Sequence, residues 1–103
     1  MQSSIELTQE LVRFNTINPP GGERPCAERL AGLLEGAGFA AELVPFGDGR
    51  AQILARLGGS SAKLSLGFTG HIDTVPLGAQ PWSVDPFAAE IADGKLYGRG
   101  ASD

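Results

Sequence analysis

Apolar residues Ile5, Leu7, Leu11, Val12 and Phe14 recur at roughly helical spacing behind Ser3 and Ser4. Either serine can cap a helix N-terminus, so the pattern predicts an amphipathic helix ending near Asn15. Pro19-Pro20-Gly21-Gly22 then imposes a loop. A second helix is predicted from about Glu23, because Pro25 suits a first turn and Cys26, Leu30, Leu33 and Leu34 follow at helical spacing. Gly36 and Gly38 end it.

Further along, the pattern turns to strands. Residues 41–46 and 51–57 predict two strands joined through Gly47-Asp48-Gly49-Arg50 as a hairpin, and Gly58-Gly59-Ser60-Ser61 breaks the chain again. Residues 63–69, with the apolar run Leu64 to Phe68, predict a third strand, central in its sheet. Its C-terminal end would carry Gly70-His71, at the sheet edge where open α/β folds place their sites. Residues 76–87 are Pro-rich and irregular, while 89–91 and 95–97 flank Ala92-Asp93-Gly94, a compact hairpin signal. Two helices followed by several strands predict an α/β fold. Its sheet is incomplete, since no helix follows the central strand before the chain stops. An unpaired central strand is a template for another chain, so the isolated piece is expected to self-associate or exchange strands.

With 103 residues, 42% of them hydrophobic, the chain suits one small domain or a piece of one. A net charge of −4, with only eight Lys plus Arg, provides no basic stripe for phosphates, so nucleic acid is not the expected partner. The N-terminus lacks a basic segment followed by an apolar stretch, and no run approaches the roughly 18 apolar residues of a membrane span. The expectation is a cytoplasmic protein without a membrane partner. Cys26 is the single cysteine, which excludes an intrachain disulfide. Lying on the apolar face of a helix, it reads as a small buried hydrophobe, with no reason to meet His71 as a nucleophile would.

The chemistry concentrates in Gly70-His71-Ile72-Asp73-Thr74-Val75-Pro76 and in Gly98-Arg99-Gly100-Ala101-Ser102-Asp103. On a strand, His71 and Asp73 would point to one face, because side-chain direction repeats every second residue. A metal-ligating imidazole gives its other ring N–H to a carboxylate or carbonyl, and Asp73 is placed for that task. Asp103 supplies a hard oxygen ligand after a glycine-flanked segment able to turn tightly. Gly98-Arg99-Gly100 lacks the third glycine and the helix of a nucleotide-binding loop. Trp82 and Phe87, among prolines, are open between packing under a long loop and contact with substrate, and Arg13, Arg29, Arg50 and Arg56 read as solvated charges. Arg99 is open between a role near the site and a pairing with a neighbouring carboxylate.

Together with Phe14-Asn15-Thr16-Ile17-Asn18-Pro19-Pro20-Gly21, with Trp82 and Asp85-Pro86-Phe87, and with Asp93-Gly94-Lys95-Leu96-Tyr97, these segments resemble the zinc-dependent amidohydrolases and peptidases. That family includes acetylornithine deacetylase, succinyl-diaminopimelate desuccinylase, aminoacylase-1 and glutamate carboxypeptidase. The resemblance implies a three-layer α/β/α zinc-peptidase-like catalytic domain, of which residues 1–103 are the N-terminal portion. The remainder of that domain, and a domain through which the full-length protein would form a homodimer, are then absent. By the same resemblance His71 binds one zinc, Asp73 orients the His71 ring as a catalytic residue, and Asp103 bridges two zinc ions, for which cobalt can substitute. A Glu-Glu pair giving the general base and a ligand, another acidic ligand and a late His would lie downstream.

The implied substrate is an amide, in an N-acyl amino acid or a small peptide. One imidazole and one carboxylate fall short of the three or four protein ligands of a zinc site, so this piece alone is expected to be inactive, its site weak or empty. The contrasting expectation is a non-catalytic α/β module that binds a partner through its open sheet edge.

Overall fold

The computed structural model describes residues 1–103. It divides into two units, Met1–Gly22 with Asp73–Asp103, and Glu23–Ile72. The elements are α1 (Ser4–Val12), α2 (Arg24–Gly36), β1 (Ala40–Gly47), β2 (Arg50–Arg56), β3 (Glu90–Ala92) and β4 (Lys95–Tyr97).

In the first unit, α1 begins where Ser3 is extended and its Oγ accepts the Glu6 N–H at 3.2 Å. The Glu6 carboxylate accepts the Ser3 N–H at 2.7 Å, so two orphan donors are satisfied reciprocally. The helix stops earlier than its apolar spacing predicts, with Arg13 as its C-cap. The reason is local: Asn15 Oδ1 accepts the Ile17 N–H at 3.2 Å, offering the backbone an alternative to another helical turn. Beyond it, Ile17 and Thr74 form an isolated parallel bridge. Strands β3 and β4 form the expected hairpin, closed by Asp93 and Gly94, with φ values of 51° and 72°. Two successive positive φ angles match the right-handed twist of the flanking strands. Gln9 Nε2 donates to Ala89 O at 2.8 Å, tying α1 to this hairpin, and Val12, Thr16 and Ala89 are buried.

The cap of α1 makes a pH prediction. Hydrogen bonds from the Ser3 backbone N–H, and then from its side chain, hold the exposed Glu6 carboxyl below its ordinary range. A carboxylate depressed in the folded state stabilises the fold above its unfolded pKa, and that contribution disappears as pH falls through the lower, folded value. Acidification should therefore fray the first turn of α1. Titrating the Glu6 side chain by NMR should show its pKa moving upward in Ser3→Ala; an unmoved value would break the link to the cap.

In the second unit, Pro25 occupies the first turn of α2, and Ala27 N–H donates to Glu23 O at 2.8 Å. Past the helix end, Phe39 N–H returns to Leu34 O at 3.0 Å across Gly38, whose φ of 93° suits a residue without Cβ. Strands β1 and β2 pair antiparallel, Leu43 opposite Ile53, with a register irregularity between Pro45 and Gly47. The loop is Asp48-Gly49. Helix α2 packs on both strands, burying Cys26, Ala27, Ala31 and Ala51.

One of the arginines assigned to solvent is not there. Arg50 Nε donates to both carboxylate oxygens of Glu23, at 3.1 and 3.0 Å, Nη2 pairs with Oε1, and the guanidinium lies 4.8 Å over the Phe46 ring. Glu23 is only 2% exposed. Arg13, Arg29 and Arg56 are exposed, as read.

The third strand is also corrected. Residues 63–69 belong to no sheet; both sheets are two-stranded hairpins. Leu64, Leu66 and Phe68 are 100%, 81% and 91% exposed. A run that reads as a central strand needs neighbours on both sides, and each hairpin here is paired only with itself. The α/β class holds, as a partial domain of two helices and small antiparallel sheets. No helix is long and apolar enough to cross a membrane.

Candidate metal centre

Asp73 and Thr74 are held by the segment after α1. Thr74 N–H donates to Thr16 O at 3.0 Å, and Asn18 N–H donates to Thr74 O at 2.8 Å. On this clamp the Asn18 side chain reaches across, Nδ2 donating to Asp73 Oδ2 at 3.0 Å. Asp73 is half-buried there. An amide N–H can only donate to a carboxylate oxygen, so the contact ties the plane of the Asp73 carboxylate to the Asn18 side chain.

The segment carrying Asp103 is shaped by two glycines. Arg99 N–H donates to Pro86 O at 2.8 Å and Ala101 N–H to Gly98 O at 3.2 Å, closing a turn with Gly100 at φ 82°. A Cβ on Gly100 would fall 2.7 Å from Thr74 Cγ2. The turn thus lies against Thr74, next in sequence to Asp73. A Cβ on Gly98 would collide with Val12 Cγ1 and approach Pro86 O at 3.1 Å. Val12 is buried and β-branched on a helix, so it has little freedom to yield. Gly98→Ala is therefore expected to destabilise the fold by about 1–3 kcal/mol, the usual cost of overpacking. The check is a urea midpoint, which should fall in the variant; an unchanged midpoint would show that the helix end moves aside freely.

Arg99, left open by the sequence, stacks its guanidinium 5.0 Å from the Trp82 ring centroid and donates from Nη2 to Pro76 O at 3.3 Å. Trp82 Nε1 in turn donates to Leu77 O at 3.0 Å, bracing the irregular 76–82 segment. Two buried polar atoms here, Thr74 Oγ1 and Arg99 Nε, lack hydrogen-bond partners.

His71 lies at the end of the second unit, exposed and on irregular backbone. Residues 71–73 belong to no strand. Asp103 is exposed at the end of the glycine turn. No group of three or more His, Cys, Asp or Glu side chains is placed to hold a metal ion. An imidazole and carboxylate oxygens are nonetheless donor types that zinc takes. Asn18 is the residue missed by sequence reasoning. Standing before Pro19-Pro20, it reads as loop punctuation, and only its place beside Thr74 gives it a partner.

Residues 67–103, which include His71, Asp73 and Asp103, match the model of Peptidase family M20/M25/M40. Among the relatives of the chain is a succinyl-diaminopimelate desuccinylase of Cereibacter sphaeroides (strain ATCC 17029 / ATH 2.4.9), 45% identical over 101 residues, covering 96% of this chain and 26% of the relative. The succinyl-diaminopimelate desuccinylase of Wolbachia pipientis subsp. Culex pipiens (strain wPip) is 40% identical over 100 residues, covering 96% of this chain and 24% of the relative. That of Rhodospirillum centenum (strain ATCC 51521 / SW) is 39% identical over 104 residues, with 96% and 26% covered. The chain thus spans about a quarter of the length of the curated relatives it matches.

Proposed function

We propose that residues 1–103 are the N-terminal portion of the catalytic domain of a zinc-dependent hydrolase that cleaves the amide of an N-acyl amino acid, of the succinyl-diaminopimelate class. The observation that carries this reading is the 45% identity to a succinyl-diaminopimelate desuccinylase across 96% of the chain. In it, His71 and Asp103 hold zinc, Asp103 being shared by two ions, and Asp73 orients the His71 ring. Bound zinc supplies a water of lowered pKa and polarises the amide carbonyl. The chain's own part is to present an imidazole of fixed tautomer and a carboxylate on a rigid turn. The remaining ligands and the general base come from the rest of a cytoplasmic, homodimeric protein. Alone, residues 1–103 would bind zinc weakly and hydrolyse nothing, since one imidazole and one carboxylate fall short of the three or four protein ligands of a zinc site.

The test is hydrolysis by the full-length polypeptide, with N-succinyl-diaminopimelate and N-acetylornithine as alternative substrates. Acyl release should disappear on dialysis against a chelator and return with zinc or cobalt. A full-length, zinc-supplied protein that releases no acyl group from either compound would overturn the reading in favour of a non-catalytic module.

A further inference from the structure

We propose that Arg99 is a carboxylate-binding site, in which Nε and Nη2 take the two oxygens of one carboxylate while the Trp82 ring supports the face of the guanidinium. Every residue it uses lies in the first unit, Met1–Gly22 with Asp73–Asp103, and none of them is a proposed zinc ligand.

The chain holds its own standard for comparison. Arg50 lies 4.8 Å over the Phe46 ring, its Nε donates to both carboxylate oxygens of Glu23, and its Nη2 donates to one of them. Arg99 repeats the aromatic support, with Cζ 5.0 Å from the Trp82 ring centroid, but without the anion. Its Nε is buried with no hydrogen-bond partner, and its Nη2 donates to a neutral carbonyl, Pro76 O, at 3.3 Å. These are the two donors through which Arg50 grips a carboxylate side-on. A buried donor left unpaired costs free energy, and an acceptor that reaches it recovers that cost. Water would satisfy Nε alone. A carboxylate satisfies Nε and Nη2 together and balances the charge, for which the planar fork of arginine is suited and the point charge of lysine is not.

The groups that lie on the guanidinium, Pro76 O and the Trp82 ring, both belong to residues 76–82. That segment makes no hydrogen bond between main-chain groups, and Trp82 Nε1 to Leu77 O is its internal tie. It can therefore shift at Pro76 without breaking a ladder, and Nη2 exchanges one long bond for a charge-assisted one. The base of the side chain is fixed by contrast. Arg99 N–H is bonded to Pro86 O at 2.8 Å, and the next residue, Gly100, lies against Thr74.

The carboxylate can come from a free ligand or from an Asp or Glu side chain elsewhere in the full-length polypeptide, and the test separates the two. The full-length wild type and Arg99→Lys, which keeps the charge but loses the fork, are titrated calorimetrically with succinate and with its uncharged counterpart succinamide. For a free ligand, Arg99→Lys should bind succinate at least about 10-fold more weakly, the scale of one hydrogen bond to a charged group, and succinamide should not bind. Succinate held anywhere else, on a metal included, binds both proteins alike.

A carboxylate from the polypeptide itself gives a different result. Succinate binding then does not depend on Arg99, and Arg99→Met melts below the wild type by a gap that closes as pH falls through the carboxylate range near ~4, because a paired carboxylate stabilises the fold only while ionised. Should methionine prevent folding, Arg99→Lys shows a smaller gap that closes in the same way. The proposal is overturned if succinate affinity does not depend on Arg99 and the gap is the same at every pH, which would leave Arg99 as a brace of the 76–82 segment. Binding of succinamide as tight as that of succinate, lost alike in Arg99→Lys, would also overturn it.

Discussion

Arg50→Met should destabilise the fold by about 3–5 kcal/mol, the usual loss when one member of a buried ion pair is removed. The carboxylate of Glu23 sits at the entrance to α2, 2% exposed, and the Arg50 guanidinium opens β2 beside it. The pair fastens the helix N-terminus to the hairpin turn, alongside the bond from Arg24 N–H to Gly49 O at 3.0 Å. Methionine keeps much of the stem's packing against Phe46 but leaves the carboxylate without its guanidinium. Glu23→Gln should cost less, since an amide buried beside Arg50 carries no charge to desolvate. The informative variant is the double one: Glu23→Leu with Arg50→Met removes both charges and should recover most of the single loss. Urea unfolding of the wild type, Glu23→Leu, Arg50→Met and the double variant measures the coupling. Single and double variants that lose stability additively would mean the pair contributes through packing alone.

That pair also shows where sequence reading reached its limit. Helix α2 and both hairpins were legible because their signals are local: Pro25 in a first turn, Gly49 and Gly94 at positive φ, apolar residues in register. Arg50 lies 27 residues from Glu23, and nothing in the spacing says that an arginine after a turn will close over a helix cap. The run at residues 63–69 fails for the opposite reason. Its apolar character is genuine, but a strand exists only through its partners, and a sequence pattern does not contain them. The same logic divides the site. The types of His71, Asp73 and Asp103 were legible, and the family match covers all three. How they would meet was not, because residues 71–73 belong to no strand whose pairing would set their direction. Asn18 became meaningful only through the bridge between Ile17 and Thr74, a contact across more than half the chain.

The proposed centre predicts a graded set of losses in the full-length protein. His71→Ala and Asp103→Ala each delete a ligand from a site whose catalytic form keeps about three protein ligands, so each should lower kcat/KM by at least about 10³-fold. Such a loss corresponds to about 4 kcal/mol of transition-state stabilisation. The two should differ in metal content: His71→Ala gives up one ion, whereas Asp103→Ala, removing the carboxylate proposed to be shared, should lower occupancy of both. Asp73→Ala keeps every ligand and frees the imidazole, so its effect should stay within about 10–100-fold. Rates and zinc content measured on the same preparations separate these cases. A ligand acts by holding the ion and an orienting group by aiming the ligand, so activity and bound zinc should fall together for His71 and Asp103. For Asp73, activity should fall further than occupancy when zinc is saturating. An Asp73→Ala protein that loses its metal as fully as His71→Ala would make Asp73 a ligand itself, and the division of roles proposed for this site would have to be redrawn.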